Sequence, residues 1–284
     1  MTEREHTENN TLGEVVMCMN KSDMIAKLFA KRLESGGMRV HWIEDQVRKD
    51  SVSFEEETDI IVVDGERDDD ICDKIKLHQN GGKIAVAAIN AKQENGQKKI
   101  CVIPDEQLPE SIELDELFER IAKQVCRVRE NKRRGTKHFA YIFPAAKSLL
   151  EQASVWLEEF LKINNVSESD SINIIMAFRE ACDNAIKHGS KHNDELNVKV
   201  ICTLDSEKAV IAVEDQGDGF NAPVHLELQR LVTPAELARQ RAKEGKRGGL
   251  GIVMILQLMD SVEYNNTGNV IKFTYYLGRE RSYD

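Results

Sequence analysis

The hydrophobic pattern of this chain changes its rhythm once, near residue 137, and that change limits what each part can fold into. Before it, five short apolar runs (residues 15–19, 38–43, 59–63, 83–89 and 99–103) alternate with helical patterns. Each run is rich in β-formers or Ala and bounded by charge or Gly, as expected of strands buried on both faces of a parallel sheet. Residues 23–33 are apolar at helical spacing and are stopped by Ser35-Gly36-Gly37. Residues 113–125 form a second amphipathic helical pattern. Five βα units of this size predict an open, doubly wound α/β sheet over residues 14–128. Residues 1–13 read as a disordered tail, and the basic, turn-prone stretch 129–136 reads as a linker.

From residue 137 the order is different. A strand (137–143) leads to two helices (145–162 and 169–189), then to two strands (196–204 and 209–214). After a long polar stretch come a helix (251–259) and a strand pair (261–264 and 270–277) joined by the turn Asn265-Asn-Thr-Gly268. Helices followed by mostly antiparallel strands predict an α+β sandwich over residues 137–284, with helices on one face. Two domains suit 284 residues.

Composition narrows the partners. A net charge of −10 argues against direct nucleic-acid binding, which needs clustered excess Lys and Arg. The six cysteines are scattered, without C-x-x-C or zinc spacing, and several lie in apolar runs. No run approaches the roughly 20 apolar residues that span a bilayer. The polar start of the chain resembles neither a signal peptide nor an anchor, so the cytoplasm is the expected location.

Three segments carry candidate chemistry. In Phe178-Arg-Glu-Ala-Cys-Asp-Asn-Ala-Ile-Lys-His-Gly189, Glu180 and Asn184 are four apart and share one helix face. Nucleotide-bound Mg²⁺ keeps several waters and takes one or two protein oxygens, a role open to the Asn184 amide beside a carboxylate. The bland alternative is a solvated helix face. Next, the strand 209–214 runs into Asp215-Gln-Gly217-Asp-Gly219-Phe220, where two glycines let a ligand approach the backbone. A carboxylate at the strand end can accept a hydrogen bond from the exocyclic amine of adenine. The G-x-G-x-x-A match to a dinucleotide fingerprint fails on context, because Pro223 follows where a helix should open. Last, Arg247-Gly248-Gly249-Leu250-Gly251-Ile252 is a glycine-rich loop opening a helix, whose free N–H groups favour phosphate. It is not a Walker A loop; taken alone it could be a plain turn.

Taken in order, these motifs resemble the Bergerat ATP-binding fold of histidine kinases, Hsp90, gyrase and MutL, over about residues 137–280. More narrowly, they resemble the anti-sigma-factor serine kinases of bacterial partner-switching systems. The resemblance implies ATP and Mg²⁺ as cofactors. It implies Asn184 as the Mg²⁺ ligand, Asp215 on adenine, and Lys187, His188, Gly217, Gly219, Gly248, Gly249, Leu250 and Gly251 around the nucleotide. It implies Glu180 as general base toward a partner's serine and residues 221–247 as an ATP lid. It also implies a small antagonist protein as substrate, a sigma factor as a further partner, and a homodimer.

The first part resembles a two-component receiver, with Asp64 where that family has its phosphoacceptor. The supporting residues differ. Asn20-Lys21 replaces the acidic pair, Ala87-Ala88 replaces Ser or Thr, and Ile103 stands before Pro104 in place of Lys. A pseudo-receiver that does not act as a phosphorylation switch is therefore expected.

Three functions remain open: a serine/threonine kinase of the anti-sigma type, a histidine kinase, and a non-catalytic ATP-dependent sequestering module. The second needs an exposed histidine on a dimerisation helix, but His138 sits in a strand-like run ending at Pro144. The third has no need of Glu180.

Overall fold

The computed structural model describes residues 11–43, 57–65, 71–77, 81–90, 99–219 and 251–279. Two compact units form, one from Met1–Gln93 with Val102–Lys137 and the other from Glu94–Cys101 with His138–Asp284.

In the first unit, strands β1 (Gly13–Cys18), β2 (Met38–Trp42), β3 (Ile60–Asp64), β4 (Ala85–Ile89) and β6 (Glu106–Leu108) form one sheet, ordered β2-β1-β3-β4-β6. Its neighbouring strands are all parallel. In spatial sequence this is the flavodoxin-like order 2-1-3-4-5. Alternate strand residues face opposite ways, so two cores form. Val15, Met17, Ile60, Val62, Ala85 and Ala87 meet Phe29 and Leu33 of α1 (Met24–Ser35) and Leu117, Ile121 and Val125 of α3 (Leu114–Arg134). Val16, Cys18, Ile61, Val63, Val86 and Ala88 meet Ile75 of α2 (Ile71–Lys76).

Two expectations are corrected here. Residues 99–103 contribute only β5 (Cys101–Val102), which takes no place in this sheet; the polar Glu106–Leu108 fills the fifth position instead. Glu106 is tolerated there because Arg120 of α3 donates to it from Nε at 2.8 Å. The expected linker 129–136 is mostly helix, since α3 continues to Arg134 and closes at Gly135 in the left-handed region (φ 68°). The basic side chains hold those last turns down. Arg129 Nε reaches Asp59 Oδ2 at 2.8 Å, while Lys132 Nζ reaches Asp59 Oδ1 at 3.2 Å and the Thr58 carbonyl at 2.7 Å.

The second unit opens with β7 (Lys137–Pro144), followed by α4 (Leu150–Ile163) and α5 (Glu168–Asn184). Then come β8 (Asn197–Leu204), β9 (Lys208–Asp215), α6 (Gly251–Leu258), β10 (Ser261–Tyr264) and β11 (Val270–Tyr276). The sheet runs β10-β11-β9-β8-β7-β5, and β10–β11, β11–β9 and β9–β8 are antiparallel. Burial alternates along β8, β9 and β11, the mark of strands with one covered face. The helix α5 packs against both α4 and α6. Ser167 caps its start by accepting from the Asp170 amide at 3.1 Å. Buried Asp170 accepts from the Tyr275 hydroxyl at 2.9 Å and the Gly278 amide at 3.0 Å, which fixes the helix start to the end of β11. Among the described residues no helix is long and apolar enough to cross a membrane.

Candidate functional site

The helix α5 buries Ile174, Ala177, Phe178, Ala181 and Cys182, and that choice of face leaves Glu180 and Asn184 half-buried on another. Four residues of spacing stack the two side chains one turn apart. Opposite them stands Gly251, the first residue of α6. A methyl group at that position would overlap the Glu180 carboxylate and lie 3.7 Å from Asn184 Nδ2. Glu180, Asn184 and the head of α6 therefore form one cluster. The unpaired N–H groups and dipole of a helix head favour negative charge there.

After Asn184 the backbone departs from α geometry. Residues Ala185–Gly189 form a π-helical turn, in which the Ser190 amide bonds back to the Ala185 carbonyl at 2.8 Å. Single π turns recur at functional sites. The expected helix 169–189 is thus two segments, and the second brings Gly189 onto Asp215. A Cβ on Gly189 would overlap the Asp215 carboxyl group, and a Cβ on Gly217 would lie 2.7 Å from the Gly189 carbonyl carbon. Asp215 Oδ1 accepts from the Gly217 amide at 2.8 Å. Burial pushes the Asp215 carboxyl up from the usual carboxylate range; the Gly217 amide draws it back down and the Glu214 charge adds to the rise. Burial, with the nearby Asp215 charge, pushes the Tyr264 phenol up to about 12.

The loop after Asp215 is held by the turn between β10 and β11. Asn269 Nδ2 donates to the Asp215 carbonyl at 3.0 Å, and the Asp215 amide donates to the Asn269 carbonyl at 2.9 Å. Gly219 has φ 71°, and a Cβ there would strike the Thr267 carbonyl, so glycine is required at this position.

The remaining expected residues divide. Lys187 and His188 are exposed, and Lys187 pairs with Asp183 on its own helix. Gly248, Gly249, Leu250 and the lid stretch 221–247 lie outside the described residues. Three participants were missed by sequence reasoning. Gly189 merely ends a helical pattern in the sequence, and Asn269 reads only as part of a turn. Ser190 is 2% exposed, and its hydroxyl has no hydrogen-bond partner among the described residues. Among those residues no three His, Cys, Asp or Glu side chains gather as a metal site.

A family model described as a histidine kinase-like ATPase domain matches residues 143–275. The serine-protein kinase RsbW of Bacillus velezensis is 30% identical over 113 residues, covering 39% of this chain and 68% of that protein. The Bacillus licheniformis protein of the same name is 31% identical over 118 residues, covering 40% and 70%. The one from Staphylococcus epidermidis is 26% identical over 144 residues, covering 49% and 86%. The chain thus spans about two thirds of the Bacillus relatives. Among solved structures, a SiaB–SiaC complex from Pseudomonas aeruginosa overlaps 56% of this chain and 99% of its own, at 13% identity and a TM-score of 0.38. A response regulator from Thermotoga maritima overlaps 40% and 98%, at 17% identity and a TM-score of 0.29. Structural overlaps that low decide nothing about either unit. The chain belongs to the histidine kinase-like ATPase family that includes the serine-protein kinase RsbW.

Proposed function

We propose that this protein is an ATP-dependent serine/threonine kinase of a bacterial partner-switching system, acting on a small antagonist protein. The observation that carries the reading is the meeting of Glu180 and Asn184 at Gly251. A carboxylate, a neutral amide oxygen and a helix head converge there, and all three suit the triphosphate end of a nucleotide. At the other end, the close packing of Gly189, Gly217 and Gly219 holds Asp215 at its strand end, where its carboxyl group suits the base. Bound Mg²⁺–ATP would supply the phosphoryl group and neutralise its charge. Within this reading Asn184 holds the metal, Asp215 holds adenine and Glu180 takes the proton of the partner's serine. Lys187, His188 and Gly248–Gly251 complete the nucleotide's surroundings. A sigma factor as second partner and a homodimeric state belong to the same proposal. Sequestration of a partner by the ATP-bound protein is a compatible second activity. The histidine-kinase alternative is disfavoured by His138, which lies within β7 and not on a helix.

The direct test incubates the purified protein with Mg²⁺, labelled ATP and candidate small antagonist proteins. Acid-stable label on the partner is the expected result; acid-labile label on the chain itself would support a histidine kinase instead. Binding separates the two ends of the site. Asn184→Ala should weaken Mg²⁺-dependent ATP binding, because an oxygen bridging metal and protein is lost. Asp215→Asn should weaken ATP binding with or without metal. Calorimetry that finds Asn184→Ala as tight as the parent for Mg²⁺–ATP would remove that helix from the site.

We also propose that the receiver-like unit works by docking and not by phosphorylation. Asp64 ends β3, but the loop after β1 carries exposed Asn20 and Lys21 where Mg²⁺ would need carboxylates. Acetyl phosphate with Mg²⁺ should leave Asp64 unmodified, and Asp64→Asn should bind ATP normally. A mass gain of one phosphate that vanishes in Asp64→Asn would overturn this.

A further inference from the structure

The crossing of two glycines beneath Asp215 is not accounted for by the roles given so far. Gly189 ends the π turn, and its Cα faces the carboxyl group so closely that all three nearest atoms to an added Cβ are Cγ, Oδ1 and Oδ2 of Asp215. Gly217 in turn rests on the Gly189 backbone, with its own Cβ position 2.7 Å from the carbonyl carbon and 2.8 Å from Cα. Contacts this short admit no side chain at either residue without movement of the backbone or of the carboxyl group. The two oxygens of Asp215 are thereby made unequal. Oδ1 is taken by the Gly217 amide at 2.8 Å, while Oδ2 has no partner among the described residues. The strand end itself is fixed by Asn269 through two hydrogen bonds to the Asp215 backbone. Backbone, one oxygen and the flank of the carboxyl group are all constrained, and one acceptor is left over.

We infer that Gly189 is the positioning residue for nucleobase recognition: its bare Cα seats the Asp215 carboxyl group so that Oδ2 accepts a hydrogen bond from an exocyclic amine at purine position 6. This rests on the reading of Asp215 as the adenine contact. A methyl at residue 189 would turn or push the carboxyl group out of line and cost the hydrogen bond. It would leave Asn184 and Glu180 near the phosphates untouched. The π turn gains a purpose as well, since it carries Gly189, and not a residue with a side chain, to the crossing.

The experiment compares ATP with inosine triphosphate, which differs by an oxo group in place of the 6-amine. An acceptor such as Oδ2 can bond the amine and only repel the oxo group, and such mismatched polar contacts discriminate strongly. Calorimetry on the full chain should show the parent preferring ATP by at least about 10-fold. Gly189→Ala should bring the two nucleotides within about 2-fold by weakening ATP, with Mg²⁺ dependence retained. A general structural defect would weaken both nucleotides together and leave the ratio alone. Thermal melts of Gly189→Ala, Asp215→Ala and the double variant give the steric test. The added methyl should lower Tm when Asp215 is present and do so far less in the Asp215→Ala background, because the group it strikes is gone. A folded Gly189→Ala that keeps the parental ATP preference overturns the inference. So does an equal loss of Tm in both backgrounds, or failure to fold in both. A parent that binds ATP and inosine triphosphate alike removes the Asp215 assignment instead, whatever the melts show.

Discussion

Glu180→Gln should bind ATP almost as well as the parent and phosphorylate its partner at least about 100-fold more slowly. Glutamine keeps the size and hydrogen bonding of glutamate but cannot take a proton. A serine hydroxyl is a poor nucleophile at neutral pH, so a carboxylate at the phosphate end helps by accepting that proton late in transfer. Such a base contributes about 10²–10⁴-fold, or roughly 3–5 kcal/mol of barrier. Position supports the choice of Glu180 over its neighbours. It faces Gly251 at the head of α6, one turn from Asn184 and away from Asp215, which sits against Gly189. Asp183 is engaged with Lys187, and Glu151 is held by Arg179 at 2.6 Å, so neither carboxylate competes for the role. The variant should still bind the partner and accumulate as a complex. Parental rates in Glu180→Gln, or no phosphorylation by the parent with any cognate partner, would leave the ATP-dependent sequestering module as the better reading.

The part of the site that lies on regular structure is readable in the sequence. Spacing of four puts Glu180 and Asn184 on one helix face, and an alternating strand running into Asp-x-Gly-x-Gly places Asp215 at a strand end. Both follow from periodicity, which is local. What periodicity cannot carry is the π turn. One residue more per turn leaves no mark on the pattern of Ala185-Ile186-Lys187-His188-Gly189, and the contact it creates is with Asp215, 26 residues on. The same limit explains the two errors in the first unit. Arg129 and Lys132 look like a solvated joint until Asp59 is found beside them. Glu106–Leu108 is too short and too polar to read as a strand without Arg120 against it. In each case the deciding partner is an oppositely charged side chain far away or close only through a helix packed on the sheet.

Charge pairing in the first unit leads to the second large effect: Asp105→Ala should destabilise that unit by about 3–5 kcal/mol. Lys76 and Asp105 are both buried, with side chains 2% and 3% exposed, and Lys76 Nζ lies 2.6 Å from Asp105 Oδ2. The ammonium also donates to the Ile84 carbonyl at 2.6 Å. The same Oδ2 accepts from the Val86 amide at 2.9 Å, and Oδ1 pairs with half-exposed Arg127 at 2.8 Å. Removing Asp105 leaves an ammonium in the interior with no counter-charge and a strand amide with no acceptor, and the first of these dominates. Replacing the pair together, as Lys76→Met with Asp105→Leu, removes both charges. It should recover most of the loss, because two desolvated ions are exchanged for apolar contacts. Urea unfolding of the parent, the single variant and the double variant reads this directly; a loss below about 1 kcal/mol for Asp105→Ala would show the pair to be solvated. The location of the pair bears on function. Ile84 and Val86 stand at the start of β4, whereas Asp64 pairs with Ile89 at its end, about 13 Å further along the strands. The Lys76–Asp105 pair thus lies toward the end of this sheet opposite Asp64, and at the end that would bind Mg²⁺ in an active receiver stand exposed Asn20 and Lys21. That placement fits the proposal that the unit docks and is not phosphorylated.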